Sequence, residues 1–371
     1  DKLVQSLREK RPDDARLLYL QGLVQRRNGK LDDALASFRE ALEKNPAELD
    51  AHVMHARVLL EQGSAGQALA ALGAAGEGAA KSAAVHVTEG EILLARADAE
   101  GALRAFEAAL RIDGESIAAH RGKAQALEQQ GDLAAAVAAW ETLLAVDDAN
   151  PEHHLRYGTA LWKRKEMDRA IDALQAARKL APENGAILSR LGAVQFDAGR
   201  IDEAIRTIEE ALKLDNTNPE TYLYLARFQF AGGDNGAALH AIRRAIALDG
   251  RNAAYPYQMG LIHEALNNPS DALEAFREAV RLDPGHADAL EHQGRILISL
   301  NAGAKAVQAF EQALERDPAR TRLLLDIADT HLQSNRWDAA IAALGRAREA
   351  GLEGVSFRLG IAYQEIGRAH V

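Results

Sequence analysis

One residue type returns at one fixed interval along this chain. Stepping by 34 residues from Ala34 meets Ala68, Ala102, Ala136, Ala170, Ala204, Ala238, Ala272, Ala306 and Ala340 without exception. Seven residues after each comes Ala41, Ala75, Ala109, Leu143, Ala177, Ala211, Ala245, Ala279, Ala313 and Ala347, with a single departure. Between the two columns lies a bulky one: Phe38, Leu72, Phe106, Trp140, Leu174, Ile208, Ile242, Phe276, Phe310 and Leu344. Twelve residues before the first column the residue is always small: Gly22, Ala56, Gly90, Ala124, Gly158, Gly192, Ala226, Gly260, Gly294 and Ala328. Four columns held in phase across ten units define a repeat array, in which each unit buries its apolar face against its neighbours.

The spacing within a unit specifies helices. Offsets of four and three residues place the alanine, the bulky residue and the second alanine on one helical face. Small residues let two helix backbones approach closely, and the large residue fills the space beside that contact. Each unit is therefore expected to be two antiparallel helices, with the small column of one meeting the small column of the other. The abundance of Ala, Leu, Glu, Arg and Gln supports an all-α class. Five residues before each alanine of the first column stand Gly29, Gly63, Ala97, Gly131, Lys165, Gly199, Gly233, Asn267, Asn301 and Asn335. Gly and Asn tolerate the left-handed conformation that closes a helix. Pro12, Pro46, Pro182, Pro284 and Pro318 recur in phase where the second helix must stop.

These residues resemble the tetratricopeptide repeat family, whose 34-residue motif has Leu-Gly in the first helix, then Ala, an aromatic, Ala and a terminal Pro. Leu191, Gly192, Ala204 and Ala211 match it, as do Gly260, Ala272, Phe276, Ala279 and Pro284. The likeness covers essentially the whole chain. It implies a right-handed α-solenoid, a superhelix of antiparallel helix pairs, with a concave groove lined by the first helices.

Full units start at Ala15, Leu49, Ala83, Ile117, Pro151, Gly185, Pro219, Ala253, Ala287 and Thr321, so that ten repeats fill 15–352. Residues 1–14 carry only the tail of a preceding second helix. After Gly351 the spacing shortens by two, and Gly360 opens a partial eleventh repeat over 353–371. Neither end shows the polar capping repeat that natural arrays use, so a piece of a longer protein is expected. Gly73 to Ser82 is the weakest joint: three glycines and no terminal proline. It reads as a hinge or as a frayed turn, and the cost of glycine in helices favours the turn. It is no phosphate-binding loop, because Ala80 and Ala75 stand where that motif needs glycine.

Charge and composition exclude several functions. The 44 basic and 54 acidic residues are interspersed, for a net charge of −10. No basic stripe is present to meet nucleic-acid phosphates. No apolar run is long enough to cross a bilayer, so direct membrane insertion is not expected. The absence of cysteine removes thiolate metal sites and cysteine nucleophiles. No nucleophile elbow, metalloprotease helix or calcium loop occurs, so neither catalysis nor a cofactor is expected. Asp147 and Asp148, at a unit boundary, read as solvated connectors.

Positions 2, 5, 9 and 12 of each first helix share a face, and the family resemblance implies that this face lines the groove. Position 12 supplies Trp162, Phe196 and Phe230; position 5 supplies Leu155, Leu223 and Tyr257; Arg156, Arg190 and Arg227 flank them. An apolar ladder edged by arginine can clamp an extended peptide or amphipathic helix bearing acidic residues. The alternative is that the position-12 aromatics pack against the neighbouring unit. A second ladder at position 4, His52, His86, His120 and His154, lies 34 residues apart. Packed helices stand roughly 8–10 Å apart, whereas zinc needs its nitrogens within about 2 Å. Packing at the seam between units is therefore expected of it.

Two known tetratricopeptide uses are disfavoured. A chaperone-tail clamp needs Lys and Asn at positions 5 and 9, yet position 5 reads Tyr19, Val53, Val87, Arg121 and Leu155. Glycosyltransferase arrays carry asparagines at position 6, where Leu20, Met54, Thr88, Gly122, Arg156 and Arg190 stand. The expectation is a scaffold or adaptor that holds a partner protein or peptide, a small GTPase or other folded domain included. Its alternative is the non-catalytic arm of a larger enzyme or of a bacterial secretion, export or pilus-assembly machine. Self-association through the ends is a third reading. A bacterial source and a cytoplasmic location, with the periplasm as the alternative, complete these expectations.

Overall fold

The computed structural model describes residues 4, 11 and 13–369, with side chains as far as residue 366. Of the tail expected in residues 1–14, only Val4, Arg11, Asp13 and Asp14 fall among them. The described residues form twenty-one α-helices and one 3-10 turn, with no strand. They fall into two compact units, Asp1–Glu183 and Asn184–Val371.

The first unit holds α1 (Ala15–Arg27), α2 (Leu31–Lys44), α3 (Leu49–Glu61), α4 (Ala65–Gly73) and α5 (Ala83–Ala95). It continues with α6 (Ala99–Ile112), α7 (Ile117–Gln130), α8 (Leu133–Val146), α9 (Pro151–Lys163) and α10 (Met167–Leu180). The second unit begins with α11 (Gly185–Asp197), α12 (Ile201–Leu214), α13 (Pro219–Ala231), α14 (Asn235–Leu248) and α15 (Ala254–Ala265). Then follow α16 (Pro269–Leu282), α17 (Ala287–Ser299), α18 (Gly303–Arg316), α19 (Leu323–Gln333), α20 (Trp337–Glu349) and α21 (Val355–Ala369). Odd-numbered helices are the first of each pair and even-numbered the second. Within each unit the pairs stack as an α-solenoid does.

The periodic columns are the core. Every alanine from Ala34 to Ala340 in the first column is fully buried, and so are Phe38, Phe106, Trp140, Phe276 and Phe310. One detail differs from the sequence expectation. The glycine of the first helix receives the bulky side chain of the second rather than the small column alone. A Cβ added at Gly22, Gly90 or Gly260 would lie 2.6 Å from the ring of Phe38, Phe106 or Phe276 respectively. Where the bulky residue is aliphatic, the backbones come close as well: a Cβ at Gly158 or Gly192 would stand 3.2 or 3.4 Å from the carbonyl oxygen of Ala170 or Ala204. The Phe106 ring also fills the space over Gly122 of the following unit, and so wedges between two first helices.

Turns close each helix by the expected chemistry. All ten residues five before the alanine column have positive φ, including Ala97 at 60° and Lys165 at 66°. Repeat position therefore outweighs residue type at these two sites. Between units the acidic residues do more than stay solvated. Asp215 Oδ1 accepts from the Thr217 amide at 2.8 Å, Asp249 Oδ1 from Arg251 at 2.9 Å and Asp283 Oδ1 from Gly285 at 2.9 Å. Such Asx turns start the connection into the next first helix. The Thr217 hydroxyl and amide hold the Asp215 carboxyl below its ordinary range.

The glycine-rich segment resolves as a turn. Helix α4 stops at Gly73, Gly76 takes φ 71°, and a 3-10 turn over Glu77–Lys81 leads to Ser82, which caps α5 by accepting from the Val85 amide. A single 3-10 turn replaces the last part of the second helix there.

Two stability predictions follow from this packing. Phe276 is fixed by Tyr257 and by the stacked imidazole of His292, 5.0 Å away between centroids. Gly260→Ala should therefore destabilise the chain by about 1–3 kcal/mol in chemical unfolding, a cost that shrinks toward zero in a Phe276→Leu background. Lys165→Gly should raise stability by about 1 kcal/mol, because it removes a side chain held in the left-handed region.

Candidate functional site

Helix α9 in the first unit presents Leu155 and Trp162, seven residues apart on one face and both half-buried. Arg156 beside them is exposed, and its Nε donates to Glu152 Oε1 at 2.7 Å, one turn earlier on the same helix.

In the second unit, α11 carries Arg190 and Phe196, both half-buried. Phe196 stacks on Phe228 of α13, with centroids 4.5 Å apart and planes at 16°. Phe228 is buried, so one face of Phe196 seals the seam between successive first helices. Leu223 and Phe230 on α13 are half-buried and pack against the same cluster of Ile208, Leu225, Ala226 and Phe228. Arg227 lies between them in sequence, four residues after Leu223 and three before Phe230, which puts all three on one helical stripe. Arg227 is exposed and makes no ion pair among the described residues.

Tyr257 on α15 sits elsewhere, packed against the cluster that contains Phe276 and Leu290. Its ring lies 4.6 Å from His286 and 6.0 Å from His292 between centroids. Burial, followed by the nearby Asp288 charge, pushes its hydroxyl pKa up. Phe196, Leu223 and Phe230 are thus gathered around one apolar cluster, while Tyr257 belongs to a separate aromatic nest.

The histidine ladder has a structural explanation. Each imidazole Nε2 reaches the carbonyl oxygen six residues earlier: His52 to Pro46 at 3.0 Å, His86 to Ala80 at 3.4 Å, His120 to Gly114 at 2.9 Å and His154 to Asp148 at 2.8 Å. The N–H donates and the carbonyl accepts, so each ring latches its helix to the preceding connection. No group of three or more His, Asp or Glu side chains among the described residues could hold a metal ion. No helix among them is long and apolar enough to cross a membrane.

Polar side chains at position 11 of five first helices among the ten full units escaped the sequence reading; the other five carry Leu59, Leu93, Leu127, Leu161 and Leu297 there. The Ser37 hydroxyl donates to Gln25 Oε1 at 2.7 Å, and the Thr207 hydroxyl to Gln195 Oε1 at 2.7 Å, in each case from twelve residues on. Twelve residues after Gln229, His263 and His331 stand Ala241, Ala275 and Ala343, which carry no hydroxyl. There Gln229 Oε1, His263 Nδ1 and His331 Nδ1 are buried with no hydrogen-bond partner. Burial lowers the pKa of His331. A hydroxyl twelve residues after a position-11 Gln is the signal that separates satisfied from unsatisfied members.

Comparisons with known proteins agree with this architecture. One family model described as tetratricopeptide repeat matches residues 87–141, 121–185 and 257–321. A second with the same description matches 25–88, 161–212, 195–256 and 297–353, so that together they run from 25 to 353. Among solved structures, a crystal structure of MamA is 28% identical, covers 44% of this chain and 96% of its own, and superposes with a TM-score of 0.41. A structure from the functional characterization of Pseudomonas aeruginosa pilF is 23% identical and covers 59% of this chain and 100% of its own, with a TM-score of 0.49. The crystal structure of the APC/C hetero-tetramer Cut9-Hcn1 is 16% identical and covers 94% of this chain and 76% of its own, with a TM-score of 0.48. No curated protein matches the chain.

The position-11 column yields a test of its own. Ala241→Ser copies the Gln25 and Ser37 arrangement beside Gln229 and should raise stability by about 1 kcal/mol in denaturant titration. The same substitution in a Gln229→Leu background should give no gain.

Proposed function

Because the chain belongs to the tetratricopeptide repeat family, we propose that it is a scaffold which holds a partner protein or peptide on its first-helix faces. What supports this reading best is the stripe on α13, where half-buried Leu223 and Phe230 bracket the exposed, unpaired Arg227. An apolar pair lowers its free energy by losing the remaining water around it, at about 25 cal/mol per Å². A guanidinium between two apolar side chains adds direction, because it binds a carboxylate through two parallel hydrogen bonds. The partner is therefore a segment with apolar side chains spaced around an acidic one.

The remaining groove candidates divide by what already occupies them. Phe196 has one face committed to Phe228, so its contribution is to hold the platform on which Leu223 and Phe230 stand. Tyr257 offers its ring edge from a nest of histidines. On α9, Leu155 and Trp162 form a second apolar pair, with Arg156 tethered to Glu152 until an acidic partner competes for it. Arg190 completes the cationic margin. Catalysis has no place in this reading; the chain's work is to position other molecules.

The test compares the intact chain with Arg227→Glu and with Phe230→Ala, each immobilised and exposed to extract of the source cells. Proteins retained by the unaltered chain should be depleted at least about tenfold by either variant, at unchanged thermal melting. Retention of the same proteins in the same amounts by both variants would contradict the proposal.

A further inference from the structure

Helix α21 carries one face that the rest of the second unit leaves open. On its inner side Val355 and Ala362 are buried, and Leu359 packs against the cluster that contains Phe310. Arg358 donates to both carboxylate oxygens of Asp329 on α19, at 2.6 and 2.9 Å. The helix is therefore held firmly in place. On its outer side Phe357 is 76% exposed and Tyr363 58%, and Ser356, Gly360, Ile361 and Gln364 are exposed with them. Removing such apolar surface from water is favourable by about 25 cal/mol per Å².

Gly360 marks what this face lacks. Counting the two-residue shortening after Gly351, it stands at the eighth position of its repeat, as Gly22, Gly90, Gly260 and Gly294 do. A Cβ at any of those four would lie 2.6 Å or closer to a phenylalanine ring of the paired second helix. At Gly360 it would meet nothing within 4 Å.

The residues of the face indicate what covers it. None of the six is acidic or basic, so two copies of the face meet without like-charge repulsion. The face is also symmetric about its glycine: Phe357 and Tyr363 lie three residues to either side of Gly360, and Ser356 and Gln364 four. A two-fold axis through Gly360 sets Phe357 level with the partner's Tyr363, and the Ser356 hydroxyl level with the partner's Gln364. The glycine itself lets the two helices cross closely at that axis. A second copy cannot offer a second-type helix instead. All ten bulky residues from Phe38 to Leu344 are already buried against their own first helices.

We propose that this face joins two copies of the chain, α21 against α21, antiparallel about a two-fold axis at Gly360. Such an interface is isologous and closes at the dimer. Aromatic side chains bury about 150–250 Å² each, so two per copy fall short of the roughly 1,200–2,000 Å² of stable complexes. The dimer is accordingly weak and reversible, forming over roughly 10–100 µM.

Sedimentation equilibrium of the intact chain tests the pairing. The average mass should rise from 40.0 kDa at about 1 µM toward twice that value at about 200 µM, and no further. Phe357→Glu alters an exposed residue, so melting should be unchanged while self-association weakens at least about tenfold. Because the chain has no cysteine, Gly360→Cys introduces a single thiol at the axis. With oxidised glutathione as the electron acceptor, it should yield a disulfide-linked dimer, and Lys213→Cys on exposed α12 should not. A monomer at every concentration would overturn the proposal. So would growth beyond the dimer, which a closed two-fold pairing forbids. Unchanged affinity in Phe357→Glu, or equal disulfide yield from positions 360 and 213, would place the contact elsewhere and overturn it too. Calorimetric binding of the peptide of residues 269–282 by a chain that stays monomeric would assign the face to a separate second-type helix instead.

Discussion

The Phe276 ring occupies the volume that a side chain at Gly260 would need, and this exchange of space between paired helices recurs along the chain. All four phenylalanines of the bulky column face glycine: Phe38, Phe106, Phe276 and Phe310 against Gly22, Gly90, Gly260 and Gly294. Where the small residue is alanine, the opposing residue is Leu72, Ile242 or Leu344, or Trp140, whose indole N–H donates to Glu128 Oε1 at 2.8 Å. Glycine also faces the aliphatic Leu174 and Ile208, at Gly158 and Gly192, but at a phenylalanine ring one added methyl must displace an atom already in contact. The buried alanine column keeps each second helix close enough for that insertion, and the left-handed residue before it turns the chain back at the right place.

Periodicity made most of this legible before any coordinates. Ala97 and Lys165 show how: neither residue type asks for positive φ, yet both adopt it because their repeat position requires the reversal. The first-helix starts also read directly from the 34-residue interval, apart from shifts of one or two residues at Ala254 and Leu323. Side-chain direction was harder to read. The sequence places Phe196 and Phe230 at the same repeat position, but Phe196 is stacked on Phe228 while Phe230 keeps an open side. That difference arises from the next unit, where position 10 is a phenylalanine, and a single-column reading does not look there. The position-4 histidines were expected at seams, and their role proved more definite: a donor aimed at the carbonyl six residues back.

Specificity, on this account, lies where the repeat constraint is weakest. Buried columns vary only within the space the facing position leaves, so under the proposed function recognition falls to half-buried and exposed positions such as Leu223, Arg227 and Phe230. The polar position-11 side chains differ among themselves: Gln195 is satisfied by Thr207 and adds to the core, whereas His263 Nδ1 is buried without a partner.

Site-specific photocrosslinking tests the central claim most directly. A benzophenone amino acid at position 227, on the first-helix face, is compared with one at exposed position 213 on the second helix α12. The account predicts adducts to partner proteins from position 227 that are absent from position 213. Adducts formed equally from both positions, or from position 213 alone, would contradict it.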